Sequence, residues 1–414
     1  MHRRDLFRAA AAFPAAGLLG RLERRPARVA SALPLPSDDE AYWAEVRRQF
    51  LVADGIFMNT GTWGALPVPV LDAVEAHMRA FETVFHQVPF DFPGLRGRLA
   101  ALVGAPPETL AFTRNTTEGM NTVARGLDLA PGDEILLTTH EHVGGLCCWE
   151  LVAARHGLAL RTFSPPVPAP SEDALFEAWT GAVGPRTRVL SIAHIMFSTG
   201  TIQPVARLAA WARERGIVTV IDGAHPPGLL ALDVTALGCD FYASSPHKWL
   251  LAPKGCGFLY ISPAWLDRLW PLVASGGWND LALKADRFDH VGTRNESLLV
   301  GFDAALRFHA AIGTARVEQR SRGLATRLDA GLRALRGVTV VSPENPEVRS
   351  AMVSFQVAGR TGTEVIQRLW TMGPVRVRHV TEHGLDYVRL STHIYNTPAE
   401  VDRVVGMVGE IAAG

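Results

Sequence analysis

Short runs of β-forming residues, closed by polar or glycine-containing turns and separated by stretches of helical periodicity, predict an α/β fold with a mixed, mostly parallel sheet. Two observations carry this reading. Residues 217–221 (IVTVI) and 240–244 (DFYAS) are each short, rich in β-formers and bounded by turns, as buried strands are. Asp222 ends the first run, and Lys248 follows the second within Ser244-Ser245-Pro246-His247-Lys248-Trp249. The ends of parallel strands are where such a sheet presents its ligand groups. A lysine among apolar neighbours, after a Ser-Pro turn that cannot continue a helix, is out of place for a solvated lysine. Desolvation would disfavour its ammonium form and leave a nucleophilic amine.

At 414 residues, 48% hydrophobic and 20% charged, the chain has the length of two domains and the composition of a soluble globular enzyme. A formal net charge of zero gives no electrostatic case for nucleic acid or for a membrane surface. No internal repeat or heptad pattern is present, and no apolar stretch reaches the ~20 residues of a spanning helix. Cys147 and Cys148 are adjacent, Cys239 opens a strand and Cys256 sits between glycines. That is no disulfide framework, and all four are expected as buried thiols.

The first 32 residues read differently. His2-Arg3-Arg4-Asp5-Leu6-Phe7-Arg8 precedes an alanine-rich apolar run over 9–20, broken by Pro14 and Gly17, then a basic linker over 21–28. This resembles a twin-arginine export signal, with Ala30-Ser31-Ala32 as a cleavage site before Leu33. The resemblance implies export to the periplasm through the twin-arginine machinery and a mature chain without membrane insertion. The alternative is a surface helix that only imitates a signal on a cytoplasmic protein.

In chain order, 38–50 reads as a helix capped by Ser37, with Tyr42, Trp43, Val46 and Phe50 at helical spacing. A Gly-rich loop over 57–67 contains Asn59, and helices follow over 69–85 and 92–102. A strand over 109–113 turns at Arg114-Asn115-Thr116-Thr117-Glu118-Gly119 into a helix running to Gly126, with Asn115 and Glu118 spaced as a capping box. Free N–H groups and hydroxyls at Thr116 and Thr117 would make an anion site at that helix start. The strand 134–138 leads into His140-Glu141-His142-Val143-Gly144-Gly145. Two histidines without a nearby third ligand do not make a zinc site, and no metal is expected. Strands over 188–195 and 258–261, one long helix over 297–335, and strands over 338–341 and 352–357 complete the pattern. Arg389 lies between apolar neighbours in a last strand-like run; a buried guanidinium needs an anion, and it grips a carboxylate bidentately.

Taken together, these motifs resemble the class V aminotransferases of the fold-type I pyridoxal phosphate superfamily, in particular the isopenicillin N epimerase-like and cysteine desulfurase-like branches. The resemblance rests on Asp222-Gly223-Ala224-His225 and on Ser245 to Lys248, with further matches from about Asn59 to Asn396. It implies an aspartate aminotransferase-like fold, with a three-layer large domain over 66–300 and a smaller α+β C-terminal domain over 301–414. Residues 33–65 would pack on the small domain. The implied cofactor is pyridoxal 5'-phosphate, held as a Schiff base by Lys248, with Asp222 on its ring nitrogen. Thr116 and Thr117 would take its phosphate, His142 would stack on its ring and Gln203 would meet its phenolic oxygen; His225, Ser245 and His247 would complete its site. Thr293 would reach across a homodimer interface to the partner's cofactor. Asn59 and Arg389 would hold the substrate. Where many relatives have Asn-Glu, this chain has Phe197-Ser198, which leaves the groups beside the substrate open.

The implied chemistry acts on the amino group of an amino acid or amine-bearing peptide, through an external aldimine and a Cα carbanion. Transamination, epimerisation and C–S or β-elimination share that carbanion, and the sequence does not choose among them. Cysteine desulfurases take sulfur on a cysteine near the C-terminus, and this chain has none after Cys256. The rival of another class is a non-catalytic descendant that binds a phosphate ligand; the joint presence of Asp222, Lys248 and Arg389 argues against it.

Overall fold

The computed structural model describes residues 33–34, 39–52, 55–83 and 88–414. The twin-arginine stretch and the Ser37 cap lie outside them. The first described helix is Glu40–Arg48, and its cap is Asp39, whose carboxylate accepts the Tyr42 N–H at 2.8 Å. Phe50 lies beyond the helix end yet remains buried.

In chain order the strands are β1 (Ile56–Phe57), β2 (Leu110–Thr113), β3 (Glu134–Thr138), β4 (Ala159–Phe163), β5 (Thr187–Ala193), β6 (Val218–Asp222), β7 (Phe241–Ser244), β8 (Gly257–Ile261), β9 (Val338–Val340), β10 (Met352–Val357), β11 (Val375–Arg376), β12 (Arg378–Val380) and β13 (Tyr387–Ser391). Seven of them form one sheet in the order β2-β8-β7-β6-β5-β3-β4. Its pairs are parallel except at β8, which runs against both neighbours. Alternation along β3 shows why the sheet is buried on both faces. Ile135 and Leu137 pack with Met120, Val123 and Trp149 from the helices Thr116–Gly126 and Val143–His156, whereas Leu136 packs with Leu95 and Leu208 on the other side. The result is a three-layer α/β unit.

A second, antiparallel sheet has the order β12-β13-β10-β9 and is covered by the helices Thr314–Arg333, Gly362–Met372 and Pro398–Ala413. β1 pairs with β11, and Ile56 and Met58 enter the same core, so the N-terminal segment is stitched to this C-terminal layer.

The single long helix expected over 297–335 is two helices, Glu296–Ile312 and Thr314–Arg333, bent by 79°. Gly313 separates them at φ 94°, a conformation that favours glycine. Leu299, Phe302 and Leu306 of the first helix pack into the core of the large sheet. The boundary expected at 300/301 therefore falls inside a helix, and the change of layer comes at Gly313. Cys147 is exposed, contrary to expectation, while Cys148, Cys239 and Cys256 are buried.

Candidate active site

The helix starts at Thr116 and Val143 and the C-terminal ends of β5, β6 and β7 converge on one cavity of about 260 Å³. Lys248 and Asp222 both line it, as do Thr116, Thr117, His142, His225, Ser245, His247 and Arg389 from the expected set. The chain has three lysines, Lys248, Lys254 and Lys284. Lys254 is spent on the Gly64 carbonyl at 2.9 Å, and Lys284 faces Glu108 at the surface. Only Lys248 reaches the cavity.

Lys248 Nζ stands 3.4 Å from His225 Nε2. Burial, and then the cations Arg389 and Arg378, drive its amine down to about 7 against the opposing pull of Asp222. The Asp222 carboxyl is raised by the same burial, offset by Lys248 and by the Ala224 N–H that donates to its Oδ1 at 3.0 Å. Its Oδ2 faces Gly145, where a Cβ would lie 2.9 Å away, so glycine leaves that oxygen open. His142 caps the helix Val143–His156 by accepting the Gly144 N–H on Nδ1 at 3.0 Å. Burial and the cations Lys248, Arg378 and Arg389 push this imidazole down to about 3.

At the other end, Thr116 and Thr117 begin their helix beside Ser245. The Thr116 N–H is not free as expected, because it donates to Ser245 Oγ at 2.9 Å; the two hydroxyls are 2.8 Å apart. The capping box is half formed: Asn115 accepts the Glu118 N–H, while the Glu118 carboxylate takes the Arg114 N–H instead. His247 has a buried Nδ1 without a hydrogen-bond partner among the described residues, and burial lowers its imidazole to about 4.

Arg389 is 1% exposed. Its Nη1 donates to the Phe197 carbonyl at 2.7 Å and its Nη2 to Thr62 Oγ1 at 3.0 Å, while Nε is buried without a partner. No carboxylate pairs with it among the described residues, and burial brings the guanidinium down to about 9. Phe197 thus contributes its carbonyl to Arg389 and its ring to an edge contact with His142, centroids 5.2 Å apart.

Three expected residues are not in the cavity wall. Asn59 lies one layer back, where its Oδ1 accepts from Thr62 Oγ1 at 2.7 Å and so steadies the hydroxyl that Arg389 uses. Gln203 accepts from Trp179 Nε1 on its amide oxygen at 3.0 Å, and its amide nitrogen is buried without a hydrogen-bond partner among the described residues. Thr293 is exposed in a bend. Sequence reasoning missed Arg378, Glu141 and Trp249. Arg378 lines the cavity directly opposite Arg389 in the pairing of β12 with β13, and it pairs with Glu382. Glu141 is fully enclosed and accepts from Thr138 Oγ1 at 2.7 Å; burial lifts it to about 8. A lone acid between two histidines gave no signal of this. Trp249, next to the lysine, donates to His225 Nδ1 at 3.0 Å.

The chain matches the family model "Aminotransferase class-V" over residues 49–404. It is 38% identical to the isopenicillin N epimerase of Amycolatopsis lactamdurans, over 89% of this chain and 98% of that one. It is 33% identical to a probable cysteine desulfurase of Pseudomonas aeruginosa, over 85% of this chain and 92% of that one. Among solved structures, a mutant of the cystine C–S lyase C-DES, with glycine covalently linked to its pyridoxal phosphate cofactor, superposes with a TM-score of 0.78 at 27% identity, covering 88% of this chain and 99% of that one. A match of this extent, on a fold that brings the one cavity lysine to a strand-end aspartate, places this chain in the class V aminotransferase family of fold-type I pyridoxal phosphate enzymes.

Proposed function

We propose that the protein removes the Cα proton of an amino acid, or of a peptide bearing a free amino acid end, whose carboxylate sits on Arg389. The observation that carries this reading is the buried guanidinium of Arg389, without a carboxylate partner, in the same cavity as the lowered amine of Lys248. An uncompensated buried cation costs several kcal/mol, and a substrate carboxylate is the group that offsets it.

The protein is an enzyme of a family that depends on pyridoxal phosphate, and the cavity fits that group. Asp222 Oδ2 is left open, the unpartnered His247 nitrogen and the Thr116 and Thr117 hydroxyls lie in the same wall, and Gly144 and Gly145 keep it clear of side chains. Lys248 would hold the cofactor covalently, Asp222 its ring nitrogen, and Thr116, Thr117, Ser245 and His247 its phosphate. Bound there, it supplies an electron sink for a carbanion at Cα. Lys248, once released by the substrate amine, accepts the proton with its own lone pair.

Transamination is the first branch of this reading. Epimerisation is the second, favoured by the 38% identity to an isopenicillin N epimerase. A persulfide route has no support from the thiols, since none of the four cysteines lines the cavity. Purified enzyme incubated with L- and D-amino acids in heavy water tests the reading: at least one class exchanges its Cα hydrogen in the native enzyme and not in Lys248→Ala. No exchange with any amine would reject it.

Export through the twin-arginine route and a homodimer in which Thr293 reaches a partner's cavity belong to the same proposal. The exposed, stacked pair Trp270 and Trp278 supports a covered face near that loop. Cell fractionation and light scattering test them, and an intact N-terminus in the cytoplasm or a monomer would count against each.

A further inference from the structure

We propose that Trp249 and the Gly144 amide hold His225 and His142 permanently as N–H donors toward the cavity, so that neither ring takes a proton from substrate and Lys248 carries the Cα proton alone among the described groups. The proton-carrying half rests on the function proposed above; the locking of the rings does not.

An indole Nε1–H and a backbone N–H can only donate. Trp249 Nε1 donates to His225 Nδ1 at 3.0 Å, and Gly144 N donates to His142 Nδ1 at 3.0 Å. Each Nδ1 must therefore present its lone pair, and each neutral ring keeps its hydrogen on Nε2. Adding a proton to Nδ1 would set two N–H groups against each other. In His225 the Nε2–H then points at Lys248 Nζ, 3.4 Å away, and the contact is favourable when the lysine is an amine that accepts.

Both locks are rigid. Trp249 is 1% exposed, and its carbonyl oxygen accepts from His393 Nε2 at 2.9 Å, while His393 Nδ1 meets Ser321 Oγ at 3.0 Å. Gly144 sits in the first turn of the helix that His142 caps. The charged and titratable groups felt by His225 are Lys248, Arg389, His142 and Arg378; those felt by His142 are Lys248, Arg378, Arg389 and His383. All of them oppose a further positive charge. His247 is different, because its Nδ1 has no donor against it.

The consequence concerns the reaction. When the Cα–H bond breaks, the electron pair stays with the substrate and the proton joins the Lys248 lone pair, which becomes an ammonium. Neither His142 nor His225 is available as a second base. Trp249 is thus a positioning residue, acting through His225.

Nitrogen-15 NMR of histidine side chains in the cofactor-loaded full chain tests the locks directly. His142 and His225 should each show a bare Nδ1 and a protonated Nε2, unchanged from about pH 6 to 9. In Trp249→Phe, His225 alone should begin to titrate or exchange tautomers, and the pH profile of kcat/KM should gain a new inflection. A hydrogen on Nδ1, or titration of either ring in the native enzyme, overturns the proposal, and this holds even if Trp249→Phe does not fold. For the proton, native enzyme should exchange the Cα hydrogen of alanine with heavy water, and cofactor-loaded Lys248→Ala should lose about 10³-fold. Exchange within tenfold of native in Lys248→Ala overturns the single carrier. Locked rings without exchange of any amine would reject the proposed function and uphold the locks.

Discussion

Arg378 and Arg389 face each other across antiparallel β12 and β13, and both reach the cavity. The two cations are treated differently by the fold. Arg378 is paired with Glu382, whereas Arg389 holds only a carbonyl and a hydroxyl.

Arg389→Met should therefore lower kcat/KM by about a hundredfold or more, because a charge-assisted pair of bonds to the substrate is lost. Thermal stability should hold or rise, since a buried cation without a carboxylate is replaced by an apolar side chain of similar length. Steady-state kinetics and a melting curve check both halves. A collapse in melting temperature with unchanged kinetics would make Arg389 structural.

Lys248 should make the cofactor-free protein less stable at lower pH. Its folded value of about 7 lies below the ordinary 10.5, so between these the unfolded chain binds more protons and the contribution of this group to stability rises with pH. Lys248→Met lacks the penalty. Its advantage in melting temperature over the native chain should be largest below pH 7 and fade toward pH 10; a constant difference would contradict the lowered amine.

Glu141 runs the other way. Its folded value of about 8 lies above the ordinary 4.5, so the folded chain binds the extra proton in that window and stability falls as pH rises through it. Glu141→Gln keeps the acceptor for Thr138 and removes the titration. Urea unfolding at acidic, neutral and alkaline pH should show the variant gaining on the native chain as pH rises.

The thiols should be nearly silent. Burial pushes Cys148, Cys239 and Cys256 up to about 12, and Cys147 is the exposed one. A thiol reagent should label Cys147 alone in the folded protein, and Cys147→Ser should not change turnover, since the residue lies outside the cavity wall.

The strand ends and the lysine turn were legible because period, turn residues and one misplaced lysine all agree there. The strand pattern over 134–138 coincides with β3, and Asp222, Lys248 and Arg389 line one cavity. What was not legible depends on tertiary neighbours. Periodicity runs through Gly313, whose φ of 94° breaks the helix only in context. That Trp249 holds His225 and Trp179 holds the Gln203 amide oxygen depends on neighbours brought in by the fold. Arg378 needed its register partner Arg389 to be seen as a cavity residue.

The central claim is that Lys248 holds the cofactor. Borohydride reduction of the purified protein, followed by peptide mass spectrometry, tests it most directly, because the chain offers just Lys248, Lys254 and Lys284. The account predicts the reduced pyridoxyl group on Lys248 and on neither other lysine. Its presence on Lys254 or Lys284, or a protein that takes up no pyridoxal phosphate, would contradict it.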